Sequence, residues 1–267
     1  MSRQQPPPGT PCLVGEHLTR RFGGLTAVDD VSLSLPATGL FGLCGPNGAG
    51  KSTLFNLLAG ADRADTGRVV LNGVDVTADG ATVRARAGVT RTWQGVRLLE
   101  DRSVLDNVAI GYPGEVGRSM FAALFRGSLR TARERARAVL DELDLGGLVG
   151  RQVGALTLEG QRMVELARAV VTDPVVILAD EPASGLSRGQ RLALADFLVE
   201  LAETRAMVVV EHDIDLLERI STRLYAMVDG RLAYEGDVPG FLSSAVRSSL
   251  RGLAADTDQL ARTRDET

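Results

Sequence analysis

One glycine-rich stretch carries residue types and a spacing that suit the binding of phosphate. Residues 45–53 have the sequence Gly-Pro-Asn-Gly-Ala-Gly-Lys-Ser-Thr, which fits the P-loop pattern G-x-x-x-x-G-K-[ST]. Glycines let successive backbone N–H groups turn inward around phosphate oxygens. Lys51 can reach the β- and γ-phosphates of a nucleotide, and the Ser52 hydroxyl can ligate Mg²⁺. The residues predicted to bind the nucleotide here are Gly45, Asn47, Gly48, Ala49, Gly50, Lys51, Ser52 and Thr53.

The flanking segments are those that such a loop requires. The apolar run 40–44 predicts a buried strand, and residues 52–59 have helical spacing before a stop at Gly60. A helix that begins at the loop points its positive end at the bound anion. Lys51 is also the only lysine in a chain whose other basic residues are all arginine, and a planar guanidinium would not fit the loop. Together these features favour a P-loop over a chance glycine loop.

Charged and polar residues follow two further apolar runs. Residues 175–179 and 207–210 predict buried strands, which end at Asp180-Glu181 and just before His212, respectively. The carboxyl ends of parallel strands gather ligand groups at one edge of a sheet. We expect Asp180 to hold Mg²⁺ through water, Glu181 to act as the general base, and His212 to donate a hydrogen bond to the γ-phosphate.

Two more residues are candidates for the same site. Gln94 ends a predicted strand at 89–94, and its amide oxygen can ligate Mg²⁺ or the attacking water. Phe22 precedes the P-loop, where an aromatic ring can stack on adenine. Ordinary strand packing explains Phe22 equally well, so both interpretations stay open.

Length, charge and composition limit the possible functions. The chain has 267 residues with 44% hydrophobic content, which is enough for a substantial core, and its net charge of -4 argues against a broad nucleic-acid-binding surface. No apolar stretch approaches the roughly 20 residues that cross a bilayer. Residues 1–11 lack a signal-peptide pattern and are predicted to be disordered. We therefore expect a soluble cytoplasmic protein, with any membrane spans supplied by other chains.

The order of the remaining segments predicts an α/β fold. Helices are predicted at 104–110, 118–145 and 188–204, and a closing hairpin at 223–236 turns at Asp229-Gly230. The tail from residue 246 to 267 is polar, and we expect it to be poorly ordered.

With these motifs in place, the chain resembles an ATP-binding-cassette (ABC) ATPase from about residue 13 to 243. The motifs that carry the resemblance are the P-loop at 45–53, Gln94 of the Q-loop, the signature region 156–161, Asp180-Glu181, the D-loop region 184–187 and His212. The resemblance implies a P-loop NTPase core with an antiparallel β subdomain and an α-helical signature subdomain. It places the ATPase domain at 12–245 and the helical subdomain at about 95–172, and it implies ATP and Mg²⁺ as cofactors.

Within that family, the chain is most similar to the ATPase subunits of branched-chain amino-acid importers. Four stretches carry this similarity: 22–28, 47–56, 91–94 continuing to Asn107-Val108, and 211–213. The similarity implies two ATPase subunits, paired head to tail at the cytoplasmic face of the membrane below two permease subunits, and an extracytoplasmic solute-binding protein. Lipid or lipopolysaccharide export and a low-turnover regulatory cassette remain as alternatives. A non-transport role in translation or DNA repair is disfavoured by the single cassette and the negative charge.

The similarity also implies that residues near 95–111 face the permease subunits. Leu98, Leu99, Val104 and Val108 offer a possible groove for a coupling helix, or else belong to the internal core. The spacing does not separate these two possibilities.

Two positions depart from the family pattern, and both act across the dimer. An ungapped alignment to Glu165-Leu166-Ala167-Arg168 places Thr157 at the serine of L-S-G-G-Q, Glu159 at its second glycine and Gly160 at its glutamine. A one-residue shift would restore the glycine and glutamine as Gly160-Gln161 but break the helix register. A carboxylate there would face an anion, and two unit charges about 4 Å apart at an effective dielectric near 20 repel by roughly 4 kcal/mol. Ser187 stands where the D-loop often has aspartate.

These departures separate the residues that act within one subunit from those that act across the dimer. The residues that act within one subunit are intact, and those that act across the dimer are altered. This contrast favours a heterodimer with one competent and one weakened ATP site. A homodimer in which Glu159 turns aside remains open.

Overall fold

The computed structural model describes residues 11–92, 98–112 and 126–251. Its strands fall into two sheets. An antiparallel sheet of four strands has the order β2-β1-β4-β5, and a second sheet of six strands has the order β10-β9-β3-β8-β7-β6. The strands are β1 Leu13–Phe22, β2 Leu25–Leu35, β3 Gly39–Cys44, β4 Thr66–Leu71, β5 Val74–Asp75, β6 Val89–Arg91, β7 Val176–Asp180, β8 Ala206–Val210, β9 Arg223–Val228 and β10 Arg231–Asp237.

The larger sheet is parallel from β6 to β9 and ends in one antiparallel strand. β3, which leads into the glycine loop, lies between β8 and β9, and β7 pairs with both β6 and β8. This confirms the buried strands expected at 40–44, 175–179 and 207–210, as well as the closing hairpin. Asp180 and His212 therefore follow neighbouring strands at the same sheet edge as the loop.

Both faces of the larger sheet are covered, which explains why its strands have continuous apolar runs. Phe41 and Leu43 point into one hydrophobic cluster with the small sheet and the helix after the loop. Leu40 and Cys44 point into the other cluster, which contains most of the remaining helices. The α/β class and the antiparallel subdomain predicted from the sequence are thus confirmed.

The helices confirm the longer predictions and add short ones that the sequence did not reveal. The described helices are α1 Lys51–Ala59, α2 Ala81–Ala87, α3 Val104–Ile110, α4 Arg126–Glu142, α5 Leu158–Val170, α6 Arg188–Ala202, α7 Ile214–Ile220 and α8 Val238–Leu242. Of the helix predicted at 118–145, residues 118–125 lie outside the described part of the chain. The missed helices α2, α7 and α8 are two turns or less, where a 3.6-residue pattern is weak, although α3 is equally short and confirms the helix predicted at 104–110.

The expectation of a poorly ordered tail from residue 246 is wrong for its first residues. Residues 245–251 are helical, and Leu250 is buried in the core. Arg247 forms an ion pair with Glu218 of α7 at 2.5 Å, and Arg251 pairs with Asp215. The polar composition predicted that this segment is exposed to solvent, but its arginines form ion pairs with carboxylates on α7. Residues 1–10 and 252–267 lie outside the described residues.

The structure also decides between groove and core for two of the four apolar residues near 95–111. Val104 and Val108 are completely buried in the main core, so the groove interpretation is wrong for them. Leu98 is partly buried against that core, whereas Leu99 is exposed. The domain limits at 12–245 and 95–172 stay predictions, and residue 95, where the helical subdomain was expected to begin, lies outside the described residues.

A buried arginine closes the far end of the helix that follows the glycine loop. Arg84 of α2 is 2% exposed, and its guanidinium donates to backbone carbonyls from two directions. Nη1 reaches the carbonyl oxygens of Leu57 and Leu58 at the end of α1. The other two nitrogens reach the carbonyl oxygens of Val76, Thr77 and Asp79. Arg84 thus satisfies the last carbonyls of α1, which have no partner within the helix.

Arg84→Met is expected to lower the free energy of unfolding by about 3 kcal/mol, because the buried Leu58 carbonyl and the partly buried Thr77 and Asp79 carbonyls lose this donor. Urea denaturation measures the change. Arg86→Met, on an exposed position of the same helix, serves as the control and should shift stability by less than about 0.5 kcal/mol. Equal losses for the two variants would contradict the capping role of Arg84.

Candidate functional site

The loop between β3 and α1 has the backbone of an anion cradle. Gly45, Gly48 and Gly50 have φ angles of 148°, 82° and 98°, a range that residues with a side chain rarely adopt. Gly50 is the N-cap of α1 and provides no side-chain hydrogen bond. The first N–H groups of the helix are therefore left to face the loop, where an anion would meet them.

Backbone from two other strands packs directly on this loop. A Cβ at Gly45 would collide with the carbonyl oxygen of Met227, and a Cβ at Gly50 with that of Ala27. Gly230 of the β9–β10 hairpin donates a hydrogen bond to the Ala49 carbonyl at 3.1 Å. Two of the motif glycines are therefore required by space as well as by backbone angle.

Lys51 is folded back over its own loop. Its Nζ donates to the carbonyl oxygens of Gly45 at 2.7 Å and Pro46 at 2.9 Å, and the residue is 6% exposed. Burial lowers the pKa of this ammonium from its usual value. The cation is thus held within the space that the loop encloses. Ser52, the next residue, is exposed at the start of α1.

Asp180 ends β7 in a buried ion pair that the sequence did not predict. Its Oδ2 accepts a hydrogen bond from Nη2 of Arg91 at 2.8 Å, with both side chains about nine-tenths buried. Arg91 ends β6 and also donates to the side-chain oxygen of Asn56 on α1. Its guanidinium lies over the ring of Phe55 at 5.8 Å. Arg91 therefore links β6 to α1 and to the β7 carboxylate that we expect to hold Mg²⁺.

Glu181 and His212 meet beyond the ends of β7 and β8. The Nε2 of His212 lies 2.8 Å from Oε1 of Glu181, and the His212 side chain is half exposed. Glu181 has a φ of 48°, an uncommon backbone conformation that turns the chain away from the strand. The structure thus brings the proposed base and the proposed phosphate ligand together. Gln94 lies outside the described residues.

The residues present suit a magnesium nucleotide. A cradle without Cβ atoms and a seated lysine fit a phosphate chain. Among the described residues there is no group of three or more His, Cys, Asp or Glu side chains that could enclose a metal. Mg²⁺ bound with nucleotide needs few protein ligands, since phosphates and waters complete its octahedron. The Ser52 hydroxyl and the Asp180 carboxylate are oxygen donors of that kind.

Phe22 ends β1, and its ring is 47% exposed. The guanidinium carbon of Arg20 lies 4.7 Å from the ring centre. The ring is therefore not absorbed into the core, and its stacking on adenine stays a prediction.

The signature residues occupy the start of α5. Thr157 is the N-cap, and its hydroxyl accepts a hydrogen bond from the Gly160 N–H at 3.2 Å. Glu159 lies in the first turn, and its carboxylate has no hydrogen bond or ion pair with any residue that the structure describes. A negative charge there is favoured by the positive end of its own helix. Glu159 thus places a carboxylate where a helix N-terminus would otherwise meet an anion.

Ser187 has a structural role at the end of the D-loop. It is the N-cap of α6 and forms a capping box with Gln190, whose Oε1 accepts a hydrogen bond from the Ser187 N–H at 3.0 Å. Aspartate caps helices equally well, so the substitution preserves the cap while removing a charge.

Glu211 is a residue of this region to which sequence reasoning gave no role. It follows β8, is 5% exposed, and accepts a hydrogen bond from the Ala183 N–H at 2.7 Å, which ties the strand to the segment before the D-loop. Burial raises the pKa of this carboxyl to about 7, and the nearby Glu181 and Asp213 add to the effect. In the sequence, the one hint of a role for Glu211 is its position next to His212.

The raised pKa of Glu211 makes stability depend on pH. The folded protein holds this proton up to about pH 7, whereas the unfolded chain releases it near pH 4.5, so the contribution of Glu211 to stability falls as pH rises between these values. Glu211→Gln keeps the acceptor oxygen and removes the charge. We expect the variant to gain stability relative to the wild type at pH 8 but not at pH 4.5, as measured by urea denaturation. An equal difference at both pH values would contradict this assignment.

Comparisons with known proteins agree with this geometry. The family model described as ABC transporter matches residues 28–184. LivG, a high-affinity branched-chain amino acid transport ATP-binding protein of Salmonella typhimurium, is 35% identical over 82% of this chain and 89% of its own length. BraF of Pseudomonas aeruginosa, with the same description, is 34% identical over 85% of this chain and 91% of its own length.

Solved structures give the same answer for the fold. The ADP conformation of MJ1267, an ATP-binding cassette of an ABC transporter, has a TM-score of 0.80 and 31% identity over 91% of this chain and 98% of its own length. A nucleotide-free cassette from an ABC transporter has a TM-score of 0.77 and 30% identity over 91% of this chain and 99% of its own length. Every helix in the described part of the chain is too short or too polar to span a bilayer. The chain belongs to the ABC transporter family and is one of its ATP-binding ATPase cassettes.

Proposed function

We propose that this chain is the ATP-hydrolysing subunit of an ABC transporter that imports branched-chain amino acids or a similar small solute. The observation that carries the proposal is the Glu181–His212 pair at the sheet edge where the P-loop seats Lys51. The solute is suggested by LivG and BraF, whose descriptions name branched-chain amino acid transport.

The residues of this chain divide the chemistry among them. Lys51 and the N–H groups of residues 45–53 bind the phosphate chain of ATP, and Phe22 stacks on the adenine. Glu181 takes a proton from the water whose oxygen attacks the γ-phosphorus, while the bond from that phosphorus to the β–γ bridging oxygen breaks. His212 donates a hydrogen bond to the γ-phosphate and holds the water in line with Glu181.

Mg²⁺ belongs to the proposed cofactor set together with ATP. Ser52 and Asp180 would hold it, with Gln94 as a third oxygen donor. When bound, the ion neutralises charge on the phosphate oxygens as the reaction proceeds.

The proposed assembly contains partners that this chain alone does not include. It pairs with a second, different ATPase subunit at the cytoplasmic face of the membrane, below two permease subunits that receive solute from an extracytoplasmic binding protein. Closure of the ATPase pair on ATP and its reopening after hydrolysis would drive alternating access. The heterodimer is supported by the contrast between the intact Lys51 and Glu181 and the altered Glu159 and Ser187.

One observation favours a second candidate, a regulatory cassette with little turnover. The Glu159 carboxylate at the start of α5 would repel the γ-phosphate held by the partner's P-loop. If both ATP sites of the assembly needed this signature, the complex would bind ATP and hydrolyse it slowly. Turnover by the assembled complex separates the two candidates.

The transport function is tested with the complete transporter in proteoliposomes. We expect ATP-dependent accumulation of labelled leucine, and we expect Lys51→Ala to reduce both ATP hydrolysis and accumulation at least about 10²-fold, since it removes the cation at the transferred phosphate. Arg86→Met, which removes a positive charge outside the site, serves as the matched control. Hydrolysis without leucine accumulation would reject the solute, and full activity of Lys51→Ala would reject the ATPase role.

The weakened second site is tested by Glu159→Gly in the same assembly. Removing the carboxylate should raise ATP hydrolysis up to about twofold, because the second site would no longer repel its γ-phosphate. Glu203→Gln removes a carboxylate from the exposed end of α6 and should leave the rate unchanged. An unaltered rate in Glu159→Gly would end the weakened-site hypothesis.

A further inference from the structure

We propose that Arg20 is a positioning residue that fixes the Phe22 ring as a stacking surface for the adenine base. This inference rests on the proposed ATP-binding function and assigns the residue that prepares the base-binding side of the site. Arg20 and Phe22 are two residues apart on β1, so their side chains leave the strand on the same face. The guanidinium carbon lies 4.7 Å from the ring centre, within the range of a cation–π contact.

Arg20 is itself fixed by two carboxylates. Its Nη2 lies 2.9 Å from Asp62, its Nε donates to Asp62 at 3.2 Å, and its Nη1 donates to Asp65 at 3.0 Å. Both acids follow α1, and the Asp62 N–H donates to the Asn56 carbonyl of that helix. A guanidinium whose edges are occupied in this way presents its flat face, which is the part that stacks on an aromatic ring.

The ring that Arg20 holds remains open to a second stacking partner. Phe22 is 47% exposed. For the two glycines after it, Gly23 and Gly24, no residue beyond the immediate chain neighbours has an atom within 4 Å of the position that a Cβ would occupy. With one face against Arg20 and open space around the hairpin tip, the ring can accept a planar base.

The position of this ring relative to the P-loop suits a nucleoside. β2 crosses the loop at Ala27, whose carbonyl oxygen blocks any Cβ on Gly50. Phe22 pairs with Leu25, which lies two residues before Ala27 on β2 and therefore about 7 Å along the strand toward the hairpin tip. That separation is comparable with the span of a nucleoside between its base and its first phosphate.

Arg20 thus prepares the ring before the base arrives. A half-exposed phenylalanine on a hairpin end would otherwise lose side-chain freedom when ATP binds, and this loss weakens affinity. Because only the base contacts Phe22, the contribution of Arg20 should appear in ATP binding and be absent for a phosphate chain that carries no base.

Isothermal titration calorimetry with the full chain and Mg²⁺ tests this, with ATP and inorganic tripolyphosphate as the two ligands. Arg20→Met should weaken ATP binding about two- to fivefold, the range of a cation–π contact, and leave tripolyphosphate binding unchanged. Arg21→Met, which removes the neighbouring exposed arginine, should alter neither. Phe22→Ala should weaken ATP binding only, and the double variant should bind ATP no more weakly than Phe22→Ala.

Three outcomes would overturn the role of Arg20. Equal weakening of ATP and tripolyphosphate would mean that Arg20 only braces the turn after α1. Additive losses in the double variant would mean that Arg20 acts independently of Phe22. Unchanged ATP binding by Phe22→Ala would remove the stacking surface itself, while the proposed ATP-binding function would stand. Failure of the wild type to bind ATP would reject that function directly, together with the inference that rests on it.

Discussion

The close packing of backbone against the glycine loop is the constraint on which the site depends. Met227 of β9 and Ala27 of β2 place carbonyl oxygens where Gly45 and Gly50 would carry a side chain. The Gly230 N–H bonds to Ala49, and the Gly230 carbonyl accepts from the Asp29 N–H at 2.8 Å. The small sheet, the closing hairpin and the loop are thereby locked together. The shape of the phosphate cradle is set by tertiary contacts, and the glycines make those contacts possible.

The groups around the cradle differ in how firmly they are held. Asp180 is buried against Arg91, which also reaches α1, so the metal-side carboxylate is fixed to the same helix that begins at the loop. Glu181 and His212 lie at a more open position, where the His212 side chain is half exposed. Water and a γ-phosphate must reach Glu181 and His212, whereas Asp180 only needs to stay in place. This division suits a site whose reacting side is completed by another subunit.

The sequence predicted much of the fold because its strongest signals are local. Strands β7 and β8 are continuous apolar runs, and the P-loop combines strand, turn and helix signals within residues 40–60. The short helices α2 and α7 were not predicted, although α3, which has the same length, was. In α2 the buried side chain is that of Arg84, so the helix shows no apolar spacing. The helix at 245–251 escaped because its stability comes from carboxylates on α7 that lie about thirty residues away in the chain.

The site was predictable in its residue types but not in its electrostatics. Lys51, Asp180, Glu181 and His212 follow from motif and strand order, and the structure brings the last two together. The Arg91–Asp180 pair joins residues 89 positions apart, and the raised pKa of Glu211 needs three-dimensional burial. Neither leaves a mark in local spacing.

Light scattering of the Glu181→Gln protein with ATP and Mg²⁺ tests the central claim most directly. Removing the base should trap the closed, ATP-bound state of any pair that can form. We expect this chain to bind ATP yet stay monomeric, because Glu159 opposes the γ-phosphate across a homodimer interface. A stable homodimer would contradict it, since the altered signature would then be tolerated and no different partner would be required.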